Sequence, residues 1–168
     1  MPSFALLTSS DTAARGGRVD TSGDAIVEMM TGAGFNLVER RVLPDDETAL
    51  SEAISAWCDR GDVDVVLTTG GTGLAPRDVM PQATAKVVDY QVPGIAEAIR
   101  LRTLEKTPMA MISRAMAGVR GRTLILNLPG SRKAVQECLE VALPILPHAV
   151  DILRGRGADH PLHGRGSA

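Results

Sequence analysis

"VDVVLTTGGTGLAPRDVMPQAT", residues 63–84, joins an apolar run to a helical pattern through a turn carrying Gly70, Gly71 and Gly73. The run 63–69 has the length and β-branching of a buried strand. A strand that enters a helix through a Gly-rich turn is half of a β-α-β unit. Glycines at such a turn let successive N–H groups face inward without steric cost. A concave row of amides of this kind binds anions, phosphate above all. A plain strand-to-helix turn accounts for the same glycines, and both readings stay open on them alone. No Lys follows, as a P-loop requires, and a G-x-G-x-x-G pattern begun at Gly71 ends on Pro76.

Outward from this stretch, apolar runs of strand length alternate with helical patterns. "FALLT" (4–8), "NLVERRVL" (36–43), "MAMI" (109–112) and "TLILNL" (123–128) read as further strands. "TSGDAIVEMMTGAG" (21–34) reads as a helix opened by a Thr21–Asp24 capping box and closed by Gly34. In residues 47–60, Leu50, Ala53, Ile54, Trp57 and Cys58 share one helical face, and Gly61 stops it. "PQATAKVVDY" (81–90) and "PGIAEAIRLRTLEK" (93–106) each place Pro at a helix start. A last helix presents Val135, Cys138, Leu139, Ala142 and Leu143, and Pro144 and Pro147 bend the chain beyond it. The alternation predicts an α/β fold: a three-layer α/β/α arrangement on a mostly parallel sheet. The domain spans 1–154, and the Gly-rich 155–168, with His160 and His163, reads as a disordered, solvated tail.

The chain's 168 residues suffice for one domain with a core. A net charge of −2 with mixed signs offers no cationic field for nucleic acid. Phe4, Phe35, Trp57 and Tyr90 are its whole aromatic complement, too few for a base-stacking platform. No apolar run approaches the ~20 residues of a membrane span, and the N-terminus lacks a signal-peptide pattern. Cys58 and Cys138 fall at helical apolar positions and read as core thiols of a reducing, cytoplasmic protein.

Ligands of open α/β sheets bind beyond the carboxyl ends of the strands. "TSSDT" (8–12), "LPDDE" (43–47), residues 68–78 and "NLPGSRK" (127–133) lie there. A carboxylate such as Asp78 beside an anion nest repels the ligand unless a cation stands between them. Mg²⁺ takes one or two carboxylates plus substrate phosphates. Asp45 or Asp46 could supply the second carboxylate, while the other caps the following helix. Asp78 could equally be a helix-start charge. Pro129-Gly130-Ser131 makes a sharp turn with Ser131 as a natural N-cap, and Arg132 and Lys133 add positive charge. Ser113-Arg114 offers a hydroxyl and a guanidinium; Arg114, Arg120 and Arg122 otherwise read as a solvated cluster.

"LTTGGTGLAPRDVMPQAT", "LPDDE", "VPGIAEAIR" and "MISRAMAGVRGRTLILNLPGSRKAVQECLE" together resemble, in order, the molybdopterin-binding family. That family includes the bacterial Mog and MoaB proteins and the G domains of gephyrin and its plant counterpart. The likeness covers roughly residues 4–153 and is strongest to the adenylyltransferase branch. The resemblance implies that ATP and molybdopterin give adenylyl-molybdopterin and pyrophosphate with Mg²⁺, in molybdenum-cofactor assembly. It implies a homotrimer and hand-over to a molybdenum insertase. A non-catalytic, MoaB-like molybdopterin carrier is the alternative. Carried over, Asp45 and Asp78 are catalytic and hold Mg²⁺. Thr69, Gly70, Gly71, Thr72, Gly73, Ser113, Arg114, Pro129, Gly130 and Ser131 bind substrate. Ser9 and Asp11 are weaker matches, and Met80 stands where the family often has Thr.

Overall fold

The computed structural model describes residues 1–156. Most of the expected tail, including His160 and His163, lies outside the described residues.

Among the described residues six strands form one sheet: β1 (Ser3–Ser9), β2 (Asn36–Leu43), β3 (Val65–Thr69), β4 (Tyr90–Gln91), β5 (Ala117–Arg120) and β6 (Thr123–Leu128). Their order is β2-β1-β3-β6-β5-β4. The first four strands in that order run parallel, while β5 and β4 are antiparallel to their neighbours. Seven α-helices accompany them among the described residues: α1 (Asp11–Ala14), α2 (Thr21–Gly32), α3 (Glu47–Arg60), α4 (Met80–Val87), α5 (Pro93–Leu104), α6 (Arg132–Ala142) and α7 (Leu146–Leu153).

The period-2 alternation of the central strands splits the core in two. Phe4 and Leu6 of β1, Val65 and Leu67 of β3, and Leu124, Leu126 and Leu128 of β6 face α2, α5, α6 and α7. Ala5, Leu7, Val66 and Ile125 point the opposite way, onto α3 and α4. A strand buried on both faces has no polar side, which is why these runs are continuously apolar in sequence. Cys58 and Cys138 are buried free thiols, each pushed up to about 11 by burial, as inert core groups are. No helix among the described residues is long and apolar enough to cross a membrane.

The outer strand β2 survives as a sheet edge because charged side chains cover it. Hydrogen bonds from Arg60 and the Trp57 indole N–H hold its Glu39 carboxyl down to about 2. Trp57 therefore buries its ring fully yet satisfies its one donor.

The structure corrects several sequence expectations. "MAMI" is no strand: Pro108–Ile112 forms a 3-10 helix capped by Thr107, whose hydroxyl accepts the Met109 N–H. Pro108 lacks the N–H that a ladder position needs and pre-sets a helical φ. The strand beside β6 is instead Ala117–Arg120, which Gly118 and Arg120 disguise in a pattern reading. It reaches β6 through Gly121-Arg122, where Gly121 at φ 58° supplies the positive φ of a tight hairpin. Arg120 is therefore no solvated loop residue; it grips Asp59 with two nitrogens and the Val87 carbonyl. The helix expected over 81–90 ends at Val87, because Tyr90–Gln91 pair with β5. Helix α2 is capped by Asp20, one residue before the expected Thr21, with its carboxylate accepting the Gly23 N–H at 2.9 Å.

Where β3 and β6 meet, Asn127 is 1% exposed. Its amide donates to the hydroxyls of Thr68 (3.0 Å) and Thr84 (2.9 Å), and its oxygen accepts the Met116 N–H. These bonds tie α4, β3 and the approach to β5 at one point. Asn127→Ala should leave that N–H and both hydroxyls short of a partner and lower stability by about 2–3 kcal/mol. Urea unfolding should show a lower midpoint at unchanged slope; an unchanged midpoint contradicts the account.

Candidate functional site

The chain leaves β1 for β2 on one side and returns to β3 on the other, so β1 and β3 flank a topological switch point. Their carboxyl ends are in register: Ser9 pairs with Leu43, Thr8 with Thr69, and Thr69 with Leu128. A cleft of about 240 Å³ opens there. Its walls include Ser9, Ser10, Asp20, Asp45, Gly71 and Asp78. A larger cavity, about 560 Å³, opens among residues that precede β3 and β6. Its acidic groups are spent internally, on Arg60–Asp62, Arg120–Asp59 and Arg154–Asp64 pairs. Its size therefore does not make it the stronger site.

Backbone packing builds the cleft floor. Gly70 and Gly71 have φ of 90° and 66°, the left-handed region glycine favours. A Cβ on Gly70 would collide with the Ser9 carbonyl oxygen, and one on Gly130 would lie 3.3 Å from the Gly70 Cα. The loops after β1, β3 and β6 thus stack with no side chain between them. The Gly70 N–H is already used, by the Leu128 carbonyl at 3.2 Å. The N–H groups of Gly71, Thr72 and Gly73 donate to no acceptor among the described residues. The free row of donors is therefore 71–73, one residue later than the glycines alone suggest.

Arg114 fixes that row from behind. Its Nε donates to the Gly73 carbonyl (2.7 Å), its Nη2 to the Asp78 carbonyl (2.5 Å), and its N–H to the Thr72 carbonyl (2.9 Å). Carbonyls turned toward Arg114 leave the amides of the same turn to face elsewhere. Thr69 ties the floor to the third loop, donating to the Pro129 carbonyl at 2.6 Å.

Of the residues expected from sequence, Thr69, Gly70, Gly71, Gly130, Asp45 and Asp78 line the one cleft. Pro129 and Ser131 flank Gly130 outside its walls, and Ser131 caps α6 through the Ala134 N–H. Thr72, Gly73, Ser113 and Arg114 are not in the walls either; Ser113 ends the 3-10 turn and its carbonyl accepts Arg100. The Asp45–Asp46 pair divides as expected. Asp46 caps α3 through the Ala49 N–H, which leaves Asp45 to face the cleft. Asp78 does not cap α4; its Oδ2 accepts the Ala75 N–H at 2.9 Å, closing its own loop.

The sequence reading passed over Asp20, a third carboxylate in the cleft wall. A clue was present, since an Asp preceding Thr-Ser-Gly at a helix start is a natural cap. Its oxygens accept Thr8 Oγ1 (2.6 Å), Ser22 Oγ (3.0 Å), the Gly23 N–H (2.9 Å) and Arg40 Nη2 (2.9 Å). It is saturated by protein donors. Asp45 accepts only Ser9 Oγ (2.5 Å) and the Asp11 N–H (3.2 Å), and Asp78 only the one amide, among the described residues. The donor set therefore suits an ion with few protein ligands. Among the described residues no group of three or more acidic, His or Cys side chains could cage a metal. Two carboxylates in one cleft wall are a donor set of the kind Mg²⁺ takes together with water and substrate oxygens.

Fold and cleft together define an α/β protein with a polar crevice at its switch point. The chain belongs to the molybdopterin-binding family, whose model, described as a probable molybdopterin binding domain, matches residues 5–148. It is 40% identical over 152 residues to the molybdopterin adenylyltransferase of Helicobacter pylori strain J99, covering 89% of this chain and 86% of that one. It is 41% identical over 152 residues to the molybdenum cofactor synthesis protein cinnamon of Drosophila melanogaster, but spans only 25% of that protein's length. Among solved structures, the molybdopterin biosynthesis enzyme MoaB of Thermus thermophilus superposes with TM-score 0.87 at 50% identity, covering 92% of this chain and 98% of that one. The Mog protein of Mycobacterium ulcerans gives TM-score 0.84 at 38% identity, with 91% and 99% covered.

Asp20 makes the cleft sensitive to acid. Burial raises its carboxyl, but hydrogen bonds from Thr8, Arg40, Gly23 and Ser22 outweigh burial and hold it below the usual carboxylate range. A depressed folded value means that its stabilisation is complete above the ordinary pKa of about 3.9 and is lost as pH falls through the folded value. Thermal melts from pH 5 downward should show a steeper acid loss for the wild type than for Asp20→Asn. Parallel curves would contradict this.

Proposed function

We propose that the chain is a molybdopterin adenylyltransferase, transferring AMP from ATP to the terminal phosphate of molybdopterin with release of pyrophosphate. The carrying observation is that Gly71, Asp45 and Asp78 line one crevice, with the free amides of Thr72 and Gly73 following Gly71 in the same turn just outside its walls. A cleft of about 240 Å³ takes the reacting phosphates rather than two whole substrates, so pterin and adenine extend beyond it.

In this reading the amides of Gly71, Thr72 and Gly73 grip the terminal phosphate of molybdopterin and aim one of its oxygens. That oxygen attacks the α-phosphorus of ATP; a new P–O bond forms as the bond to the β-phosphate oxygen breaks. The electron pair leaves with pyrophosphate. No general base is needed, because the phosphate nucleophile is already ionised at neutral pH. The protein's task is positioning and charge management. Asp45 and Asp78 would hold Mg²⁺, which when bound screens the phosphate charges and stabilises the departing pyrophosphate. Arg114 keeps the donor row in place, and Thr69 with Gly130 closes the floor.

The same reading includes a homotrimer and onward delivery to a molybdenum insertase. Leu101 and Leu104 of α5, with Met109, Met111 and Ile112 of the following turn, are exposed. Together they offer an apolar surface for a second copy. Light scattering at micromolar concentration should return three times the chain mass; a monomer mass removes the trimer from the proposal.

Pyrophosphate release from ATP and molybdopterin tests the activity directly. Asp78→Asn should keep molybdopterin affinity and lose AMP transfer by at least about 100-fold, the scale for removing one preorganised charge contact. Gly71→Val should do the reverse at the first step, abolishing pterin binding, because a β-branched residue is strained at φ 66° and its Cβ would already touch Met80 and Ser9. Normal turnover of Asp78→Asn refutes its role. Pterin binding without pyrophosphate release by the wild type would leave the carrier reading in its place.

A further inference from the structure

Arg77 belongs to the loop that bears Asp78, and Asp11 opens α1 just after β1; neither lines the cleft. Arg77 precedes Asp78 in the loop after β3. Its Nε meets Asp11 Oδ2 at 2.6 Å and its Nη2 meets Asp11 Oδ1 at 2.9 Å, a two-point fork on one carboxylate. The same Nη2 reaches the Asp45 carbonyl at 3.2 Å. Asp11 in turn exchanges bonds with Asp45 in both directions. Its Oδ1 accepts the Asp45 N–H at 3.0 Å, and its own N–H donates to Asp45 Oδ2 at 3.2 Å. Ser9 completes the grip on Asp45 at 2.5 Å.

We propose that the Asp11–Arg77 pair is an inter-loop clamp that sets the spacing of the Asp45 and Asp78 carboxylates, making both residues positioning residues for the transfer step. This rests on the adenylyltransferase reading above.

Three features carry it. First, without this pair the loops after β2 and β3 are separate at this point: Asp78's side chain bonds only within its own loop, to Ala75. Second, every polar contact of the Asp11 carboxylate goes to Asp45 or Arg77, and none to its own helix α1. Third, the Arg77 side chain is 62% exposed. An exposed ion pair contributes little to global stability. Its effect lies in geometry, where a misplacement of about 1 Å can cost 100-fold in rate.

The test compares wild type with Arg77→Gln, Asp11→Asn and the double variant. Pyrophosphate release should fall about 10- to 100-fold in kcat for each single variant, while KM for molybdopterin stays within about twofold. The double variant should lose no more than either single one, because the two residues act as one unit. Hydrogen exchange supplies a readout independent of turnover. The Asp45 amide, which donates to Asp11, should exchange at least about tenfold faster in Arg77→Gln, while core β1 and β3 amides keep their protection. Multiplying effects in the double variant would overturn the clamp, as would a rise in KM alone. Unchanged Asp45 exchange overturns it even in a chain that transfers no AMP. A wild type that releases no pyrophosphate but shows the exchange difference refutes the function and not the clamp.

Discussion

Backbone meets backbone at the switch point, and the rest of the site depends on how closely it does so. Gly70 lies against the Ser9 carbonyl, and Gly130 lies against Gly70. Three loops from three parallel strands therefore converge without a side chain to separate them. A Cβ at Gly70 would push the loops apart and take the 71–73 amides away from the Asp45 side. The sheet supplies the other half of the constraint. Its central strands are buried on both faces, so their register cannot slip without exposing apolar surface. Ser9, Leu43, Thr69 and Leu128 are consequently held level, and the loops that leave them begin from fixed points.

On that base, polar groups divide into those that build and those that remain available. Arg114, Asp20 and Asp46 are spent: on carbonyls behind the glycine turn, on the cap of α2, and on the cap of α3. Asp45, Asp78 and the amides of 71–73 retain capacity for a ligand. An Asp that caps and an Asp that binds look alike in one dimension. The difference between them is the number of donors already in place around each carboxylate. Saturation also explains why the larger cavity by Asp59, Asp62 and Asp64 is the weaker carboxylate site, because each of those carboxylates is already paired with an arginine.

Family membership and the crevice are established by separate routes. Family membership rests on matched residues across most of the chain. The crevice rests on strand order, positive φ at two glycines and the free amides. Neither depends on the other. The chemistry proposed for the site is spare: a fixed nucleophile, an aligned leaving group and managed charge. Such chemistry asks for rigid loops, and the Asn127, Arg114 and Asp11–Arg77 contacts each tie one loop to another.

Much of the fold was legible in the sequence. The apolar runs of β1, β3 and β6, the Leu50–Cys58 stripe of α3 and the Gly-rich turn after β3 have local causes: burial on both faces, 3.6-residue periodicity and the φ freedom of glycine. Those causes act within a few residues, so pattern reading finds them. The sequence by itself determined the parallel α/β class, the strand ends as the place to look, and Asp46 or Asp45 as a cap. Tertiary structure alone decided that Ala117–Arg120 is a strand while 109–112 is a 3-10 turn, because a strand exists only where a partner accepts its hydrogen bonds. It alone turned Arg114 inward, saturated Asp20 and joined Asp11 to Arg77, contacts across 12 to 66 positions of chain that no local pattern encodes.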